Sequence, residues 1–295
     1  MTCNPRNEPA FRPPAEAGSV LIQTDTGCPW NACAFCGMYR DTPFESRGLD
    51  DVFTLIHREA LMEPDARRVF LADGDVMARP YAELKAILDE LAVRFPRLAR
   101  VNLYATGRSI RAKTPFELGQ LHAAKLHTLY LGLESGDEPI LQRMAKGESA
   151  ADMADAVCRA QSAGLHASVM ILLGLGGQAD SDRHARATAA VLNRMQPRLL
   201  SALRVVPVPG TPLWRWIREG LFRELTEQAV VAELRLILAD LAMESTVFRA
   251  NHASNVFPLE GRLPRDRKRL LDELDHLLAS GRLDTKSPGP MPFSL

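Results

Sequence analysis

The sequence predicts an α/β protein built on parallel strands, and three observations carry that prediction. Six short apolar or β-branched runs alternate with amphipathic stretches between residue 19 and about residue 208, the pattern of repeated βα units. Glycine, proline and polar residues punctuate the joints between them. After Pro212 the alternation stops.

The expected strands are residues 19–25, 68–72, 100–105, 128–133, 167–173 and 199–206. Between them, helices are expected at 51–61, 81–94, 115–124, 150–162 and 181–195. The second of these shows the clearest face, with Leu84, Ile87, Leu88, Leu91 and Ala92 spaced by three and four. Right-handed crossovers curl such a series into a barrel or an open doubly wound sheet. Both architectures place ligands at the carboxyl ends of strands.

Past the alternating region, residues 226–241 and 266–278 read as two helices with no strand between them. A core over 19–214 followed by a helical region over 215–282 is therefore expected. Residues 1–18 and 283–295 are rich in proline or glycine and have little to bury, so both are expected to be flexible. No repeat of solenoid period is visible.

At 295 residues and 46% hydrophobic, the chain can bury a substantial core. Lys plus Arg and Asp plus Glu both total 36, so the zero formal charge gives no broad attraction to nucleic acid or membrane. The first twenty residues lack the basic start and apolar stretch of a secretory signal, and no later run reaches membrane-spanning length. A cytoplasmic protein is expected, in which clustered cysteines bind metal or do chemistry rather than form disulfides.

The first strand leads directly into Thr26-Gly27-Cys28-Pro29-Trp30-Asn31-Ala32-Cys33-Ala34-Phe35-Cys36-Gly37. Three soft thiolates within nine residues suit zinc or an iron–sulfur cluster. A closed zinc site wants four ligands and a simple electron-transfer cluster usually takes four cysteines. Of the other two, Cys3 lies near the amino terminus and Cys158 falls in an expected helix, where it reads as a small buried apolar residue. Three ligands leave one iron open to a small molecule. A zinc knuckle completed by a residue such as His57 is the competing reading of the thiols.

This loop resembles the cluster-binding loop of radical S-adenosylmethionine (SAM) enzymes, including Phe35 before the last cysteine and Gly37 after it. Its spacing of four and then two residues departs from the usual three and two. The resemblance continues through residues 19–214. Asp73-Gly74-Asp75 stands where the family commonly has Gly-Gly-Glu, which receives the SAM ammonium. Leu131-Gly132-Leu133-Glu134-Ser135-Gly136 resembles the fourth-strand motif of relatives of oxygen-independent coproporphyrinogen oxidase and the Elongator catalytic subunit, which makes Glu134 a SAM contact. Gly174, Gly176 and Gly177 occupy the fifth-strand position where bare backbone admits the adenosyl group. Val206-Pro207-Val208-Pro209-Gly210-Thr211-Pro212 resembles the sixth-strand exit.

The resemblance implies a partial (β/α)6 TIM-like barrel, an oxygen-sensitive [4Fe–4S] cluster on Cys28, Cys33 and Cys36, and SAM bound at its open iron. Phe35, Asp73, Gly74, Asp75, Glu134, Gly174, Gly176 and Gly177 are the implied cofactor contacts. It also implies a substrate, which the sequence does not identify, and an electron donor such as flavodoxin or ferredoxin. A catalytically quiet relative of the heme-chaperone kind is the alternative within the family. Two cysteines outside the loop are too few for a second all-cysteine cluster, and no separate amino-terminal cobalamin domain is expected.

Three local readings complete the expectations. Glu134 competes as a cap for a helix beginning near Gly136-Asp137-Glu138-Pro139. The polar run Asn251-His252-Ala253-Ser254-Asn255 is either a turn with a satisfied histidine or a substrate contact through Asn251, His252 and Asn255. The basic run Arg262, Arg265, Arg267, Lys268 and Arg269 reads as a solvated face paired with neighbouring acids.

Overall fold

The computed structural model describes residues 11–290. The chain divides into two compact units. The first holds the chain up to Asn31, then Tyr39–Leu131 and Arg159–Ala167; the second holds Ala32–Met38, Gly132–Cys158 and everything from Ser168 on.

The first unit runs β1 (Val20–Gln23), β2 (Asp25–Thr26), β3 (Glu45–Ser46), α1 (Leu49–Met62), β4 (Arg68–Ala72), α2 (Tyr81–Arg94), β5 (Arg100–Tyr104), α3 (Gly107–Arg111), α4 (Pro115–Ala123) and most of β6 (Leu126–Glu134). Strands β1, β4, β5 and β6 pair in that order, all parallel, with Ile22 opposite Leu71, Leu71 opposite Leu103 and Leu103 opposite Leu129. In β4 the run Val69-Phe70-Leu71-Ala72 is wholly buried, as expected of a parallel strand covered on both faces. The expected face of α2 is borne out, since Leu84, Ile87, Leu88 and Leu91 are all buried. β2 and β3 form a separate antiparallel pair that closes the base of the loop between them.

The amino-terminal expectation changes over residues 11–18. Buried Glu16 accepts hydrogen bonds from Ser19 Oγ (2.6 Å), Asn102 Nδ2 (2.8 Å) and Tyr130 Oη (2.5 Å). Phe70, Tyr104 and Tyr130 pack edge to face beside it, with centroids 5.0 to 6.4 Å apart. A carboxylate serving three buried donors ties this segment down. Cys3 lies outside the described residues.

The second unit continues with the end of β6, α5 (Glu138–Arg143), the start of α6 (Ala150–Ser162), β7 (His166–Leu173), α7 (Gly177–Met195), β8 (Leu199–Arg204), α8 (Pro212–Arg218), α9 (Glu227–Asp240), β9 (Thr246–Arg249), β10 (Glu260–Leu263) and α10 (Arg267–Ala279). Strands β7, β8 and β9 are parallel, and β10 returns antiparallel on β9.

β9 and β10 correct the expectation that no strand separates the last two helices. They are four residues each and carry charge at half-buried Arg249 and exposed Glu260 and Arg262, so neither shows the apolar run by which the other strands were legible. The described part of the tail is hydrogen-bonded to α9. Ser287 O and Asp284 O accept from the Glu227 and Gln228 amides, the first turn of α9, at 3.0 and 3.2 Å. Residues 291–295 lie outside the described residues. Cys158 is half-buried rather than buried, and its thiol faces Arg194 O at 3.5 Å. Among the described residues, no helix is long and apolar enough to cross a membrane.

Candidate active site

In the first unit, the cysteine loop leaves from the end of β1 and is fixed at its base. Thr24 N donates to Ala72 O at 2.6 Å, carrying the β1 and β4 pairing one residue further. The Arg79 guanidinium, almost wholly buried, donates to Asp25 Oδ1 (3.1 Å), Thr24 O (2.7 Å), Arg47 O (2.7 Å) and Glu83 Oε2 (2.9 Å). One side chain thus holds both ends of the loop. Only its fork of five donors could do so.

Asp73-Gly74-Asp75 follows β4, as expected. Asp73 is fully buried and accepts from Gln23 Nε2 at 2.5 Å and Tyr39 Oη at 3.0 Å. Burial pushes its carboxyl up to about 6, against the pull of those two hydrogen bonds. Asp75 accepts from Thr106 Oγ1 and Ser109 Oγ, both at 2.7 Å. The two acids are therefore engaged by the protein itself. Gly74 has φ +37°, and any side chain there would collide with the Gly27 carbonyl and the Cys28 Cα. Bare backbone is required because this turn presses on the chain where the first cysteine begins.

In the second unit, Ala34 is the anchor of the loop. Its amide donates to Met144 O at 2.8 Å, and its carbonyl accepts from Leu213 N at 2.9 Å. Its methyl lies in an apolar cluster with Ile140, Met144, Leu175, Val205 and Leu213, against which Phe35 also packs. Phe35 is thus part of the loop's seat, and Gly37 lies directly against Val208. Cys33 and Cys36 flank this pinned stretch in a turn closed by Cys36 N to Cys33 O at 3.2 Å.

Glu134 stands at the end of β6 with φ +62°, a conformation rare for a residue with a side chain. It does not cap the following helix; Asp137 does, accepting from Ile140 N at 3.0 Å. Glu134 Oε1 instead accepts from Lys146 Nζ at 3.0 Å. Burial opposes the charge on Lys146, but Glu134 and Cys33 outweigh it and hold the ammonium above the usual lysine range. Lys146 was missed from sequence. Its one signal was its position at the mouth of the next turn, twelve residues after Glu134, and without contacts that position means nothing.

The glycine-rich turn after β7 is built from below by buried Glu233. Glu233 Oε1 accepts from Gly174 N at 2.6 Å and Oε2 from Ser181 Oγ at 2.5 Å. Burial pushes its carboxyl up to about 7 against those bonds, while burial holds His184, 3.7 Å away, down to about 4. His184 Nδ1 meets Ser135 Oγ at 2.8 Å, so one buried chain of groups supports both the Glu134 and the Gly174 turns. Gly177 opens α7 facing Phe222 and the Arg223 carbonyl, and Gly176 faces Asp180 O. These two glycines are crowded by protein atoms.

The run at 251–255 lies between β9 and β10. Asn255 donates to Ala202 O (2.8 Å) and accepts from Arg204 N (2.8 Å), so its amide adds a rung to the end of β8. His252 Nδ1 meets Ser254 Oγ at 2.9 Å, and Asn251 donates to Glu260 at 3.0 Å. The basic run pairs with acids as expected: Arg265 with Asp266, Lys268 with Asp272 and Arg269 with Glu273.

The donor chemistry fits an iron–sulfur cluster better than a lone ion. The described cysteines are half-buried. Three soft thiolates in one short loop are the donor set such a cluster takes. His57, the proposed zinc partner, is engaged by Glu90 at 2.5 Å.

Comparison with known proteins agrees with this chemistry. Residues 22–188 match the Radical SAM superfamily, and the chain belongs to it. An uncharacterized methyltransferase of Pyrococcus horikoshii is 25% identical over 205 residues, 66% of this chain and 41% of that protein. Elp3 of Methanocaldococcus infernus superposes with a TM-score of 0.54 at 13% identity, covering 92% of this chain and 65% of its own. Coproporphyrinogen III oxidase of Escherichia coli, a radical SAM enzyme, superposes with 0.51 at 14% identity, covering 89% and 52%. The chain thus spans about two-fifths to two-thirds of these relatives. The two structures show the expected fold and are the two subgroups its motifs resemble. Superfamily membership also brings the expected cofactor pair, a [4Fe–4S] cluster and SAM.

Proposed function

We propose that this protein is a radical SAM enzyme, an oxidoreductase or transferase, that takes a hydrogen atom from its substrate. The observation that carries the reading is the three-thiol loop pinned through Ala34, with the Glu134 and Lys146 pair beside Cys33. Cys28, Cys33 and Cys36 would hold the cluster. With an electron from a donor such as flavodoxin or ferredoxin, the bound group supplies reductive cleavage of SAM to methionine and a 5′-deoxyadenosyl radical.

The chain's own residues bind and orient. Glu134 offers an acceptor for the SAM ammonium and Lys146 a donor for its carboxylate, two opposite charges matched to a zwitterion. By the family resemblance, the backbone of Asp73-Gly74-Asp75 and the turn Gly174–Gly177 are each assigned to SAM, and within each unit neighbouring side chains hold that backbone still. His252 and Asn251 retain an assignment to substrate; Asn255 acts by fixing the end of β8. A cytoplasmic, oxygen-sensitive protein accords with this chemistry.

Anaerobic reconstitution tests the reading. About four irons per chain are expected, as one cubane requires, with reduced protein converting SAM to 5′-deoxyadenosine. Replacing Cys28, Cys33 or Cys36 by Ala should abolish both, and Cys158→Ala neither. Stoichiometric zinc without iron would overturn it, and SAM binding without cleavage under any reductant would favour a chaperone-like relative.

A further inference from the structure

Beyond the exit of β8, the second unit contains a cavity of 290 Å³, at the small end of ligand sites, which run from ~300 to ~1,000 Å³. Its walls are Val205, Val206, Pro207, Trp214 and Ile217, with Pro288 and Gly289 of the carboxyl-terminal segment on one side. Val205 and Ile217 also belong to the apolar cluster around Ala34, next to Cys33. The cavity therefore backs directly onto the seat of the cysteine loop.

Three charged groups enter these walls: Arg204, Arg218 and Glu224. Arg204 is buried, and among the described residues its guanidinium donates to the backbone carbonyls of Pro288 and Pro290. Arg218 lies 4.7 Å above the Trp214 ring. Among the described residues, neither arginine forms an ion pair. Burial pushes the Glu224 carboxyl up, with Arg204 pulling the other way. A buried cation is costly unless an anion answers it, and Glu227 and Glu224 offset the burial of Arg204 only in part. The walls themselves carry two cations and one reluctant acid, with Glu227 acting on Arg204 from outside them, so the lining is short of negative charge. The apolar walls would strand a small hydrated dianion such as phosphate, but they suit a hydrocarbon body carrying a single anionic group. A planar carboxylate matches the guanidinium fork.

We propose that this cavity binds a small organic monocarboxylate, its apolar body against Val206, Pro207 and Trp214 and its carboxylate held by Arg218 and Arg204, as the substrate of the enzyme described above. The word substrate rests on that functional reading; the binding does not.

Calorimetric titration of the reconstituted protein with 3-phenylpropanoate, 3-phenylpropanamide and inorganic phosphate tests it. The acid should bind at one site, with the amide weaker by about tenfold or more, the scale of a charge-assisted hydrogen bond. Arg218 is exposed, so Arg218→Gln should keep its melting temperature while losing about tenfold in acid affinity. Glu224→Gln should tighten acid binding. Equal affinity for acid and amide, indifference to Arg218→Gln, or phosphate binding as tightly as the acid would each overturn the inference. Protein that cleaves SAM yet binds no acid sinks the cavity assignment alone. Protein that binds the acid yet carries only zinc sinks the functional reading alone.

Discussion

The most consequential single residues are charges placed where water is scarce. Glu134 and Lys146 neutralise one another at 3.0 Å with little exposure, so each holds the other in place, as their proposed role toward SAM requires. Lys146→Met should weaken SAM binding by about 1.5–3 kcal/mol, the range of a hydrogen bond to a charged group, and Glu134→Gln by a similar amount. His252→Ala should leave SAM affinity intact and reduce only product formation. Equilibrium binding and product assays on the three variants decide this, and equal loss of SAM affinity in all three would refute the division. Glu233 makes a different prediction because its carboxyl is raised, to about 7 from an ordinary 4.5. A raised group favours the folded state fully below its unfolded value and loses that contribution as pH climbs through the folded one. The native protein should therefore lose about 3 kcal/mol relative to Glu233→Gln between pH 4.5 and 7. Parallel pH profiles of the two melting temperatures would refute it.

At the scale of elements, what the sequence makes legible follows the burial pattern. β4 and α2 were readable to the residue because Val69–Ala72 is one continuous apolar run and the α2 leucines repeat at helical spacing. β9 and β10 were not, because a short edge pair with charged, exposed positions looks like a loop until a neighbouring strand is present to pair with it. The site divided the same way. Its cysteines and glycines announce themselves by spacing, whereas Arg79 and Lys146 matter through contacts far along the chain. Gly136 shows how tightly the elements meet, since a methyl there would collide with the Ala187 carbonyl of α7. Because the obstacle is backbone, Gly136→Ala should cost about 1–3 kcal/mol as α7 is displaced, measured by denaturant midpoint. A midpoint unchanged within error would show that the turn can yield.

For the whole molecule, the tethering of the ends was the feature hardest to foresee. Glu16 and the Asp284–Pro290 segment both sit in sequence that reads as loose, and both are bonded into the core of their own unit. The Arg79 staple has the widest reach. Replacing it leaves Asp25 buried without its partner at 2.9 Å, so Arg79→Met should destabilise the protein by about 3–5 kcal/mol. It should also lower the iron retained after reconstitution, even though Arg79 is not a ligand; full iron retention would separate the staple from the loop. With the wild-type staple in place, the two ends of the cysteine loop are joined by protein rather than by metal. Loss of the bound group would then spare the base of the loop, leaving a seat that can be refilled.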